Sequence, residues 1–260
     1  MPVGSRLLAI AANTFRETIR NKILYAILAF ALLVIGMTNF LADLSFGELT
    51  RIIADVGLAS IHLFGVVIAV FIGITLVSQE VERKTIYLIL SKPVPRWEFI
   101  VGKALGLSLT LGLITFVMAT VLFAVHAGYR HGGKAETGIF IASAGIYMEL
   151  VLLTCLASLF STFTTPVLSA MFTLSMFLIG HVTRDLLFFG GRSSSPVVRI
   201  TTRGIYYLLP NLEYFNWKND VVYGQVVSLA PLLPAVGYLV AYCAAVLAVA
   251  CLLFERKDFK

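Results

Sequence analysis

The sequence predicts an all-α membrane protein of six transmembrane helices, with an N-terminal amphipathic interfacial helix and both termini cytoplasmic. Three observations predict it. The 260 residues are 59% hydrophobic, with a mean hydropathy of +0.92. Only 13% are charged, against roughly a quarter in ordinary soluble domains. The apolar residues also gather into six stretches, each near the roughly 20 residues a helix needs to cross ~30 Å of hydrocarbon. A soluble core of this size could not cover so much apolar surface, whereas lipid can. Residues 1–260 read as a single transmembrane domain.

Residues 5–22 form the amphipathic helix. Leu7, Leu8, Ala11, Phe15 and Ile19 share one face at spacings of three and four, and Arg6, Asn13, Arg16, Glu17 and Arg20 take the other. Such a helix lies in the membrane interface with its apolar side down; the alternative is a water-side extension of the first span. The spans follow at about 23–42, 56–78, 104–127, 139–160, 166–182 and 232–254. Pro166 and Pro234 stand in first turns, where a missing N–H costs little. The first apolar stretch is longer than the roughly 7–15 residues of a signal sequence and reads as a retained span.

Two connecting segments carry information. Residues 79–103 read QEVERKTIYLILSKPVPRWEFIVGK. A charged start gives way to the apolar run Ile86–Leu90, and Pro93 and Pro95 then stop any helix. An apolar run in a cytoplasmic loop needs a cover, either the chain's own spans or a partner. Residues 183–231 are too many for a bare connector. Their stretch 204–217, GIYYLLPNLEYFNW, holds five aromatic residues in fourteen. Tyr and Trp favour the membrane–water boundary, so this reads as a short helix or re-entrant segment in the outer interface.

Orientation follows from Lys and Arg. With six spans the termini share a side, and that side holds twelve of the twenty basic residues, among them Arg16, Arg20, Arg83, Lys84 and Arg256. The opposite side holds eight, five of them in the long loop. The termini are therefore cytoplasmic. The net charge of +6 belongs to these flanks. No basic run interleaves with aromatics, so nucleic acid is excluded as a partner.

No reactive constellation is present: there is no HExxH, no GxSxG and no GxxxxGK[ST] phosphate loop. Gly106-Leu107-Ser108 faintly resembles an intramembrane serine protease but lacks the following glycine. No catalytic residue is assigned. Cys155, Cys243 and Cys251 stand apart in apolar stretches, and no Cys/His spacing suggests a metal. Gly102 and Gly106 match a small-xxx-small packing pattern at a span's edge. Within the spans, Glu149 and His62 are the polar residues of interest. A charge there is costly, so each reads either as a pathway or proton-relay residue or as an interhelical hydrogen-bond partner.

Four segments together resemble the ABC-2-type permeases, the membrane subunits of a class of ABC transporters. They look most like the subgroup named for multicopper-enzyme maturation, the nitrous-oxide-reductase accessory permeases. The segments are AIAANTFRETIRNKILY (9–25), ERKTIYLILSKPVPRWEFIVGK (82–103), LPNLEYFN (209–216) and LFERKDF (253–259). The chain departs from many relatives at Lys84-Thr85, where they carry a glycine nearby.

The resemblance implies a dimer with a second copy or a paralogue, served by two cytoplasmic ABC ATPase subunits that hold ATP and magnesium. This chain would bind no cofactor and have no enzyme activity of its own. It would sit as a multi-pass protein in the inner (cytoplasmic) membrane of a prokaryote. Glu80, Glu82, Arg83, Lys84, Thr85, Ile86, Tyr87, Leu88 and Ile89 would couple it to the ATPase. The turn 161–165, with Ser161, Thr162 and Thr164, would make a second, smaller contact. Pro210, Asn211, Glu213 and Phe215 would form the outer-loop motif, and spans two and five would line the dimer interface. The function implied is ATP-driven export. The alternatives are transmission of motion to an extracytoplasmic partner and, third, an intramembrane enzyme.

Overall fold

In the computed structural model, which describes residues 3–43, 49–82, 95–129, 136–192, 195–223 and 231–255, every regular element is a helix. In chain order these are α1 (Val3–Ile19), α2 (Lys22–Asp43), α3 (Leu49–Glu82), α4 (Arg96–Tyr129), α5 (Glu136–Phe163), α6 (Pro166–Arg192), α7 (Pro196–Leu208), the 3-10 turn η1 (Leu212–Phe215), α8 (Lys218–Val222) and α9 (Leu232–Glu255). Helices α3, α4, α5, α6 and α9 are each long and apolar enough to cross a membrane. The first expected span is α2, 22 residues long, and it meets α1 at a bend of 64°. Asn21 sits at the bend, where its side-chain oxygen accepts from the Ile23 N–H at 3.0 Å and caps the start of α2.

Helices α3 and α5 form the centre, with 67% and 72% of their apolar windows buried within the chain. α4 and α2 flank them. α6 and α9 lie at the edge, with 22% and 11% buried. α6 thus leaves most of its apolar surface uncovered by the rest of the described chain. Among its described side chains, α3 leaves the large apolar Leu63 and Phe71 exposed. An apolar groove of about 510 Å³ runs between α6 and α7, lined by residues such as Leu178, Val182 and Ile205.

α1 packs along α4 through a narrower stripe than its sequence suggests. Its buried residues are Ala11, Thr14 and Thr18, while Leu8 is exposed. Gly102 and Gly106 of α4 make the groove. A Cβ on Gly102 would meet Ile10 at 2.9 Å, and one on Gly106 would meet the Ala11 carbonyl oxygen at 2.5 Å. Small residues let the two backbones approach, which in lipid replaces the missing hydrophobic drive. Arg6 adds an ion pair to the buried Glu98 at 3.0 Å. At the first turn of α4, Arg96 donates to the Phe254 and Glu255 carbonyls at 3.0 and 3.2 Å. A cation there satisfies carbonyls that the end of α9 would otherwise leave unpaired.

Candidate functional site

Glu149 of α5 is the most buried carboxylate near the bundle's middle, with its side chain 1% exposed. Its Oε1 lies 2.9 Å from His62 Nε2 of α3 and 3.5 Å from His181 Nε2 of α6. On the far side of the His62 ring, Nδ1 lies 2.8 Å from Lys218 Nζ of α8. An ammonium can only donate. Lys218 therefore donates to Nδ1, and the His62 ring donates from Nε2 to Glu149, which links lysine to carboxylate through one imidazole. Phe177 stacks beside both imidazoles, with ring centroids 5.5 Å from His62 and 4.7 Å from His181. Burial pushes the Lys218 ammonium below its ordinary lysine range; the charges of Glu149, Glu213 and Asp55 oppose that shift.

The cluster sits deep. At 1.5 Å per residue, His62 is about 20 Å along α3 from its start at Leu49. Glu149 is about 20 Å along α5 from its start at Glu136. Lys218 reaches this depth because the chain after α7 is inserted into the bundle. Leu212 and Phe215 are fully buried and Trp217 nearly so. Two glycines make room. A Cβ on Gly145 of α5 would meet the Phe215 carbonyl oxygen at 2.3 Å, and one on Gly180 of α6 would meet Leu212 and the Pro210 carbonyl oxygen. Tyr238 of α9 accepts from the Asn211 backbone N–H at 2.9 Å, and Tyr242 donates to the Leu208 carbonyl at 3.0 Å. Of the segment 204–217 expected to lie in the interface, the part from Pro210 to Trp217 is therefore wedged among α5, α6 and α9, while Gly204–Leu208 belong to the exposed α7.

The structure brings the two intramembrane residues named from sequence, Glu149 and His62, into direct contact. The outer-loop residues frame them. Pro210 and Phe215 are buried, Asn211 is tied to Tyr238, and Glu213 accepts from the Asn216 side chain at 3.0 Å. Two members escaped the sequence. His181 fell at the end of a span taken as 166–182, but α6 runs on to Arg192, so His181 is mid-helix. Lys218 was counted as a loop charge; the aromatic run just before it was the available signal that its segment is buried.

At the other end, Ser161 and Thr162 are still in α5, and the turn begins at Thr164. Ser161 donates to the Ile74 carbonyl at 3.1 Å, Thr162 to Leu159 at 2.7 Å and Thr164 to Phe160 at 2.7 Å. Glu80 and Glu82 belong to the last turns of α3. Arg83, Lys84, Thr85, Ile86, Tyr87, Leu88 and Ile89 lie outside the described residues.

The profile of the family described as ABC-2 family transporter protein matches residues 8–259. No curated protein matches the chain.

Proposed function

We propose that this chain, which belongs to the ABC-2 family of transporter proteins, is the permease subunit that converts ATP hydrolysis by separate cytoplasmic ATPase subunits into substrate export. The family match over nearly the whole chain carries the reading. The lack of any nucleotide-binding motif in its sequence agrees with it, since the hydrolysis then belongs to a partner. In this reading the termini are cytoplasmic, two copies or a copy and a paralogue pair through the open face of α6, and the membrane is a prokaryotic inner membrane.

Helix α3 is the transmission rod. It runs unbroken from Leu49 to Glu82. Its far end leads straight into the charged and apolar run Arg83–Leu90, the surface offered to the ATPase. Its middle carries His62. A tilt imposed at Glu80–Glu82 therefore moves His62 against Glu149 and Lys218, as rigid-body switching requires. Substituting Leu88→Asp places a charge in whichever interface covers the run. The expected result is a permease that still inserts but loses the ATPase on purification or leaves its hydrolysis uncoupled. A Leu88→Asp chain that copurifies with a normally coupled ATPase refutes the reading. Orientation is checked separately: cysteines introduced at Lys134 and Ser194 should react with an impermeant maleimide in intact cells, and one at Lys92 should not.

A second reading keeps the ATPase but replaces export with transmission of motion to an extracytoplasmic partner. It is favoured by α7, of which no residue is buried and on which Val197, Ile200, Tyr207 and Leu208 are all more than 70% exposed. ATPase stimulation by candidate substrates supports the first reading, and stimulation only by a partner domain supports the second.

A further inference from the structure

The tautomer of His181 is fixed by its neighbour. Its Nδ1 lies 3.0 Å from the Phe177 carbonyl oxygen. A carbonyl can only accept, so the ring hydrogen is at Nδ1, and the neutral ring presents a lone pair at Nε2. That Nε2 is buried, has no hydrogen-bond partner and faces Glu149 Oε1 at 3.5 Å. Two acceptors thus face each other inside the bundle. They are reconciled by a cation between them.

The geometry points to a metal. We propose that His62, Glu149 and His181 form a site for a first-row divalent metal ion of borderline softness, such as Zn²⁺, with its fourth position open. One ligand atom from each residue lies within 4.8 Å of the others. Tetrahedral bonds of about 2.0–2.1 Å space ligand atoms ~3.3 Å apart, and the observed 2.9 and 3.5 Å separations bracket that value. Two imidazoles and a carboxylate are the donor set of a zinc-class ion rather than of magnesium or calcium. The Phe177 carbonyl orients His181 as the outer partner of a ligating imidazole does. The ligands come from three helices, His62 and Glu149 being 87 residues apart, which is why no local spacing betrays them.

Lys218 is the competitor. With a metal on Nε2, the His62 hydrogen must sit on Nδ1, where it would face the ammonium 2.8 Å away, donor against donor. The ammonium must then leave. The two cations also compete for the one carboxylate in the cluster. Lys218 is carried by the inserted segment, so metal occupancy and seating of that lysine exclude each other. The inference does not rest on the permease reading.

The test uses the full chain, tagged without histidines, in lipid nanodiscs. It is titrated with Zn²⁺ against a chromophoric chelator and, separately, with Co²⁺ followed by visible absorption. The expected result is one Zn²⁺ per chain and a Co²⁺ spectrum of tetrahedral intensity. Glu149→Gln and His181→Gln should each weaken Zn²⁺ at least about tenfold, the lower end of what even an outer-shell partner costs. Lys218→Met should tighten it. Wild-type affinity in both ligand variants, or an unmodified chain without the tetrahedral Co²⁺ spectrum, overturns the site. That spectrum needs no variant, so misfolding cannot mask the answer. Unchanged or weaker binding in Lys218→Met overturns the competition. A chain that binds no metal yet couples to its ATPase sinks this site and leaves the permease reading standing.

Discussion

Two segments dock onto the bundle from outside its set of spans, and they do so by different physics. α1 lies along α4 through backbone proximity. Its buried residues are small, its groove is made by Gly102 and Gly106, and its ion pair, Arg6–Glu98, has an arginine side chain still 28% exposed. The segment from Pro210 to Val222 enters the bundle instead. It anchors a fully buried Phe215 and places Lys218 against His62, whose other nitrogen meets a carboxylate that is 1% exposed. The first contact is mainly steric, with one ion pair at its end. The second is electrostatic and centres on a carboxylate 1% exposed, so it is the one that can respond to a proton, a metal or a tilt of α3.

The sharpest way to break the comparison is Phe215→Ala. Removing a fully buried aromatic leaves a cavity worth about 3–5 kcal/mol. The inserted segment should lose its anchor while α1 stays docked. Thermal unfolding of the chain in detergent should show the loss, and an amine reagent should modify Lys218 faster than in the unaltered chain. Equal stability would mean that the insertion contributes little.

The next effect is that of Glu149→Gln in chelator-treated protein. The amide keeps the shape but removes the negative charge that Lys218 faces through His62. A hydrogen bond to a charged group is worth about 1.5–3 kcal/mol, so a loss of that size is expected. Adding Lys218→Gln should recover part of it, because the two groups act as one network. Strict additivity of the two substitutions would show that the imidazole does not connect them.

The sequence exposed these two regions unequally. Apolar lengths revealed the spans, and the bounds of α2 and α9 nearly match the expected 23–42 and 232–254. Glu149 and His62 stood out because charge within an apolar run is costly, but their pairing spans helices and no spacing encodes it. His181 was hidden by a span ended too early, since Arg184 and Asp185 mimic a boundary although α6 continues to Arg192. Lys218 was hidden because hydropathy cannot tell a surface loop from an inserted one. At α1 the largest apolar residues suggested a face for lipid. The packed stripe shares Ala11 with that face but runs on through Thr14 and Thr18, because in lipid close approach, rather than apolar area, decides which face docks.

Gly106→Leu tests that steric seam. The new side chain would begin against the Ala11 carbonyl oxygen, 2.5 Å from the Cβ position, and a backbone atom cannot swing aside. Overpacking of this kind costs about 1–3 kcal/mol. The expected result is release of α1, read as faster proteolysis at Arg16 and Arg20, with Lys218 as protected as before. Simultaneous exposure of Lys218 would mean that the two docking sites are one cooperative unit.

The smallest effect expected is that of Arg6→Ala, and its value lies in its salt dependence. The Arg6 guanidinium is partly in water, so the pair's Coulomb energy is shared with solvent and counter-ions. Pairs of this kind contribute up to about 1 kcal/mol. The loss should shrink further as ionic strength rises, since the Debye length falls from about 10 Å at 0.1 M to about 3 Å at 1 M. The Glu149 carboxylate is 1% exposed, and a buried charge is screened much less than an exposed one. The Glu149→Gln penalty should therefore be the same at low and high salt. Measuring both variants at the two ionic strengths gives four numbers, of which only the Arg6 pair should move. If the Glu149 penalty also falls with salt, ions reach the cluster, and the inserted segment is an open vestibule rather than a seal.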